Sequence, residues 1–216
     1  MSINKMIDHT ILKPSATESD IRKLCREAKE YGFATVCINP CNIPFAKEEL
    51  EGSDVKVCTV VGFPLGTNTI TMKAVETAEA YEMGADEFDM VINIGALKDG
   101  KYDYVRDDIK AVVAAAKGKC VKVIIETGLL TDEEKVIATK LTCEAGATFV
   151  KTSTGIKSTG ATVADVTLMK ASVTNGVKVK AAGGIRDAAF AKALVEAGAE
   201  RIGTSAGIAI AKELAE

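Results

Sequence analysis

The chain is short of the residues on which many enzyme mechanisms depend. Its 216 residues include one histidine, His9, and no tryptophan. A catalytic zinc site draws on two or three histidines, and a Ser-His-Asp relay needs one beside its serine. Metal-hydrolase and zinc-aldolase chemistry therefore have little to build on, and His9 is expected to serve packing or the surface. Six cysteines stand at 25, 37, 41, 58, 120 and 143 with no C-x-x-C pair. Most lie in apolar strings such as "ATVCINP" and "VKVCTVV", where small buried hydrophobes in a reducing compartment are the simplest reading. There is no excess of positive charge either: 27 Lys and Arg against 30 Asp and Glu leave a net charge of −3. That balance offers no electrostatic footing for nucleic acid or an anionic membrane. The longest apolar runs, such as "AVVAAA" at 111–116, are far too short to span a bilayer. The opening "MSINKMIDHT" lacks the apolar core of a signal peptide, so a cytoplasmic protein is expected.

What is present is a repeated alternation. Short β-rich runs fall at 7–12, 33–39, 55–63, 87–94, 121–127, 148–154, 177–183 and 201–205. Amphipathic stretches lie between them. The stretch at 19–32 opens with a Ser/Asp cap and closes on Gly32; that at 67–84 runs from a Thr67 or Asn68 cap to Gly84. A third, at 131–146, starts with a T-x-x-E capping box and ends on Gly146. Three helices end on one phrase, "YEMGADEFDMV", "CEAGATFVK" and "VEAGAERIG", as if a single strand–helix unit were reused. Alternation of this kind predicts parallel βαβ units with right-handed crossovers. Eight strands, with about 25 residues per unit, predict an α/β fold, a single-domain (β/α)₈ TIM barrel over 1–216; a doubly wound open sheet is the competitor.

In a barrel the strand C-termini form the active face, and the loops after strands seven and eight often bind phosphate. Here those strands end in "AAGGIRD" and "IGTSAG", and strand six runs into "STGIKSTGAT". Three glycine-rich turns in succession, each before a helical pattern, favour a phosphate-bearing ligand over plain turn chemistry. Three polar residues interrupt the strands: Asp89 in "EFDMVIN", Lys151 in "FVKTST" and Lys180 in "VKVKAAGG". Each alone has a plainer explanation, an edge-facing carboxylate or a lysine reaching water. Together, on strands four, six and seven, they can converge in the barrel interior. Strict alternation also puts Glu87 with Asp89 and Lys178 with Lys180, but lower, near the strand starts.

Two lysines and a carboxylate suit one chemistry. A lysine attacks carbonyls only as the neutral amine, and its ordinary pKa of about 10.4 leaves little amine at neutral pH. Closing that gap takes about 4 kcal/mol of differential interaction, within reach of burial beside a second ammonium. One lysine can then form an iminium ion, an electron sink for making or breaking a C–C bond, while the other supplies the field. The carboxylate moves protons. No metal and no organic cofactor is required.

At these residues the chain resembles the deoxyribose-phosphate aldolases, class I aldolases, over residues 7–207. The resemblance rests on "IDHTIL", "VCINP", "VVGFPLG", "EFDMVINIGALKDG", "VIIETGLLTDEE", "FVKTSTG", "VKAAGGIRD" and "IGTSAG", in that order. It implies a (β/α)₈ barrel that reversibly cleaves 2-deoxy-D-ribose 5-phosphate to D-glyceraldehyde 3-phosphate and acetaldehyde, without a cofactor. It assigns the Schiff base to Lys151, its activation to Lys180 and proton transfer to Asp89. It places substrate contacts on Asp8, Thr10 and Leu12, and Cys37 on the acetaldehyde side; read alone, Cys37 is core filler. Phosphate contacts fall on Gly155, Gly183, Gly184, Arg186, Gly203 and Ser205. The loop after "KTSTG" departs from many relatives, and its Lys157 is a further candidate for the phosphate. The final "GIAIAKELAE" lacks the tyrosine-ended tail of longer members, which leaves proton transfer to Asp89, Lys180 and ordered water. Expected partners are the sugar phosphate, the aldehyde and another copy of the chain, a dimer in the first instance, with no nucleic acid or membrane. A transaldolase-like transfer and a sugar-phosphate-binding module without chemistry are the alternatives.

Overall fold

The computed structural model describes residues 3–156 and 159–215. Eight strands close into a barrel in chain order, β1 to β8, every neighbouring pair parallel and β8 returning to β1. They are β1 (Ile7–Ile11), β2 (Thr35–Ile38), β3 (Lys56–Val61), β4 (Glu87–Val91), β5 (Cys120–Ile124), β6 (Phe149–Lys151), β7 (Lys178–Ala182) and β8 (Arg201–Thr204). Helices α1 (Glu18–Tyr31), α2 (Ile43–Glu49), α3 (Ile70–Glu82), α4 (Ile94–Lys98) and α5 (Tyr102–Ala115) alternate with the first five strands. Helices α6 (Asp132–Glu144), α7 (Val163–Ser172), α8 (Ala188–Glu196) and α9 (Gly207–Glu213) complete the ring. This is the expected (β/α)₈ architecture rather than an open sheet.

The strands are shorter than their composition predicts, and local backbone chemistry explains where they stop. β3 ends at Val61 because Gly62 turns with a φ of 60°. β4 ends at Val91, and Asn93 accepts the Ala96 amide at 3.0 Å to start α4, so 92–94 leave the strand. β5 gives out before Glu126, whose φ is 56°. β6 keeps three residues, although Thr152 still donates its amide to Lys180 at 3.0 Å.

Two helix starts also shift. The cap of α1 is Thr17, with Asp20 returning the bond to the Thr17 amide, rather than Ser19 or Asp20. The cap of α3 is Thr69, one or two residues past the predicted position. The Thr131–Glu134 capping box of α6 forms as the T-x-x-E pattern predicts. The recurring helix ending works as read: Gly84, Gly146 and Gly198 have φ of 101°, 77° and 114°, a region that costs other residues strain.

The main core lies between barrel and helices. α1 shows its logic: Ile21, Leu24, Cys25 and Ala28 are buried at helical spacing. One ion pair sits inside this apolar shell. Lys73 on α3 meets Asp108 on α5 at 2.5 Å and the Val91 carbonyl at 2.8 Å, with both side chains fully buried. No helix among the described residues is long and apolar enough to cross a membrane.

Candidate active site

Strand alternation turns Asp8, Cys58, Glu87, Asp89, Lys122, Lys151, Lys180 and Arg201 into one contact network inside the barrel. Register stacks them. Asp89 pairs with Lys122, Lys151 with Lys180, and Lys180 in turn with Arg201. Asp89 is the hub. Its Oδ2 accepts from Lys151 Nζ at 2.7 Å and from Lys180 Nζ at 2.6 Å. Its Oδ1 accepts from Lys122 Nζ at 2.8 Å and from the Cys58 thiol at 3.2 Å. Lys151 and Lys180 thus reach the same oxygen atom.

The layer beneath holds Lys180 in place. Its Nζ also donates to Asp8 Oδ2. Arg201 Nη1 reaches Asp8 Oδ1 at 2.7 Å and Glu87 Oε2 at 2.9 Å, and Lys122 meets Glu87 at 2.7 Å. Burial alone would push the Asp8 and Asp89 carboxyls up. The surrounding Lys180, Lys122, Lys151 and Arg201 charges overcome it and hold both below the usual carboxylate range. Burial works against the Lys180 ammonium as well, but Asp8 and Asp89 outweigh it and push that group up. Lys122 is held charged by the same balance. Lys180 is therefore a fixed cation beside Lys151. A Cβ on Gly203 would come within 3.1 Å of Lys180 Cε, so glycine at that point leaves room for the lysine.

Above this floor opens a cavity of about 410 Å³. Lys151 reaches it from below. Thr10 and Leu12 of the β1 end line one wall, and Gly155 lines another. Gly183, Gly184 and Arg186 after β7, with Gly203 and Ser205 at the end of β8, form the third. Glycine backbone in these turns can approach an anion closely, and the α8 N-terminus adds its dipole. Thr154 is fixed from behind, its amide donating to the buried Glu126 carboxylate at 3.2 Å. Asp8, Asp89 and Lys180 lie beneath the cavity, fully buried. Cys37 is buried with Cys58, Val60, Leu12 and Phe63, a packing position. His9 is buried as well, its ring tilted against Phe33 at 5.1 Å and bonded to Glu27 at 2.9 Å. Lys157 lies outside the described residues.

Sequence reasoning missed Lys122, Arg201, Cys58 and the rim cation Lys13. The signal for Lys122 was available: it alternates with Ile124 as Lys180 alternates with Ala182. Glu87 sits at the start of β4 as alternation predicted, yet it belongs to the network. Lys178 does not: it is exposed at the start of β7, 5.9 Å over the Phe149 ring. Two sets of side chains, Cys37–Cys58–Asp89 and Asp8–Cys58–Glu87, bring ligand atoms within 4.8 Å of one another. Lys122 Nζ already contacts Cys58, Asp89 and Glu87. An ammonium thus fills the place a metal cation would take.

Comparison with known proteins points the same way. The family model described as DeoC/LacD family aldolase matches residues 2–213. The deoxyribose-phosphate aldolase of Enterococcus faecalis (strain ATCC 700802 / V583) is 62% identical over 211 residues, covering 97% of this chain and 96% of its own. That of Clostridium tetani (strain Massachusetts / E88) is 60% identical over 214 residues, covering 99% of each. Among solved structures, the tetrameric deoxyribose phosphate aldolase from Aeropyrum pernix superposes with a TM-score of 0.93. It is 35% identical, over 99% of this chain and 91% of that one.

Proposed function

The chain belongs to the DeoC/LacD family of aldolases, and on that premise we propose that it reversibly cleaves 2-deoxy-D-ribose 5-phosphate to D-glyceraldehyde 3-phosphate and acetaldehyde through a Schiff base on Lys151. The observation that carries the reading is the shared contact of Lys151 and Lys180 on Asp89 Oδ2, at the floor of a cavity whose far wall is glycine-rich.

The Lys151 amine adds to C1 of the open-chain sugar, and the carbinolamine loses water to give the iminium ion. Breaking the C2–C3 bond sends its electron pair into that ion, while the C3 hydroxyl loses its proton and becomes the aldehyde of glyceraldehyde 3-phosphate. The remaining enamine is protonated at C2, and water releases acetaldehyde and the free amine. Lys180 is an acid held on the same oxygen as the nucleophile, Asp89 Oδ2. Charge balance favours the arrangement. Lys122, Lys180 and Arg201 match Asp8, Glu87 and Asp89 one for one, so the cluster needs no charge on Lys151 for neutrality. Thr10 and Leu12 shape the sugar end, and Asp8 acts from beneath through Lys180. Gly155, Gly183, Gly184, Gly203 and Ser205 offer backbone and hydroxyl donors to the phosphate, with Arg186 at the rim.

A Lys151→Leu variant is expected to lose glyceraldehyde 3-phosphate release by more than about a thousandfold, on the scale of an enzyme that loses its nucleophile, while melting like the parent. Retained turnover would contradict the assignment. The free cysteines support a reducing, cytoplasmic setting. We also propose a homo-oligomer, on the precedent of the tetrameric A. pernix relative and the exposed Met72 and Val75 on α3. Light scattering distinguishes the expected dimer from a larger assembly.

A further inference from the structure

Arg201 lies at the start of β8, at the end of the barrel where side chains usually serve stability rather than chemistry. Its surroundings are unusual for that end. Nη1 bridges Asp8 Oδ1 and Glu87 Oε2, and the guanidinium carbon stands 5.3 Å over the Phe149 ring. The other charged and titratable groups around the cluster are Lys178 beyond Phe149, Cys120, Lys122, Cys58 and Cys37. Asp8 has two working oxygens: Arg201 holds one, and the other holds Lys180.

We propose that Arg201 is a positioning residue for the reaction: by gripping Asp8 and Glu87 from below, it presents Asp8 to Lys180 and so keeps the Lys180 ammonium on the Asp89 oxygen that Lys151 shares. The inference rests on the Schiff-base reading of Lys151. It also follows from charge. With Arg201 present, three cations balance three carboxylates beneath Lys151. Without it one carboxylate is left over, and a proton on Lys151 becomes the charge that restores neutrality. Removing Glu87 has the opposite sign, because a cation is then left over. Arginine suits the task because its Nη1 carries two N–H donors, one for each carboxylate, on a group that stays charged.

The test follows adduct formation on Lys151 against pH, using acetaldehyde and cyanoborohydride with the full-length protein and its Arg201→Met, Arg201→Lys and Glu87→Gln variants. Arg201→Met is expected to move the pH midpoint of adduct formation up by about one unit, a tenfold loss at neutral pH. Arg201→Lys is expected to recover most of that shift by keeping the charge. Glu87→Gln, nearly isosteric, is expected to move the midpoint down, and it decides the matter if Arg201→Met does not fold. Unchanged midpoints with lowered melting temperatures would overturn the proposal and leave Arg201 a stability element. No Lys151 adduct in the parent protein would overturn the Schiff-base reading itself, and the proposal with it.

Discussion

Asp89 uses both carboxylate oxygens on three lysine nitrogens and a thiol, in a position with no exposure to solvent. The part in proton movement proposed for it is thereby tied to a structural one. From the sequence, Asp89→Asn reads as a change that spares the fold; the contacts argue otherwise. Asparagine leaves Lys122 and Lys180 short of a counter-charge in the interior, and breaking such a buried pairing costs about 3–5 kcal/mol. The variant is expected to lose turnover and to melt several degrees lower, measured by calorimetry beside an activity assay; a parental melting temperature would refute the counter-ion role. Gly203 gives a second expectation. An alanine there meets Lys180 Cε at 3.1 Å and Ala182 Cβ at 3.0 Å, so Gly203→Ala should slow turnover more than it weakens substrate binding, seen as a fall in kcat at nearly constant KM. At this scale the sequence disclosed Lys151, Lys180 and Asp89, because a charge inside a β-rich run is conspicuous. It did not disclose Arg201, which reads as an ordinary residue at a strand start until the barrel closes and brings Asp8 and Glu87 to it; Lys122, although it alternates as Lys180 does, shows its role only beside Asp89 and Glu87.

The elements are joined by similar reasoning. Helix α3 meets α5 through Lys73 and Asp108, a pair without solvent contact, and Lys73 also satisfies the carbonyl of Val91 at the end of β4. Burial pushes the Lys73 amine down and the Asp108 carboxyl up, each against the pull of its partner. Asp108→Ala is expected to cost about 3–5 kcal/mol by stranding the ammonium, whereas a Lys73→Met, Asp108→Leu double replacement should recover most of that loss. Denaturant titration reads both values, and additive losses in the double variant would contradict the account. Periodicity announced all eight strands but overran most of their ends. Residues such as Phe63, Ile92 or Thr152–Thr154 keep strand-like composition past the strand end, and a single left-handed residue or an asparagine cap decides the boundary. Helix starts were displaced for a related reason: several Thr, Ser and Asp residues compete in each first turn, and only Thr17 and Thr69 present their oxygens to the right amides.

Across the whole molecule the barrel interior is a buried ionic lattice, and this has consequences for acid stability. Asp8 and Asp89 have folded values below the ordinary aspartate value of 3.8. Below 3.8 the unfolded chain takes up protons that the folded chain resists. Their contribution is therefore complete above that pH and is lost as the pH falls through the folded values. Denaturation midpoints are expected to decline steeply on acidification below about pH 4; a flat profile there would contradict the charged lattice. The barrel was legible from alternation and the shared helix ending. The cavity was legible from three glycine-rich strand ends. The ionic floor was not, since it is made of partners far apart in sequence, such as Asp8 and Arg201. Everything proposed about the reaction turns on the Lys151 nitrogen. The most direct measurement treats the protein with acetaldehyde and borohydride and maps the modified peptide by mass spectrometry. The account predicts one ethyl group, on Lys151; an unmodified Lys151, or modification confined to other lysines, would contradict it.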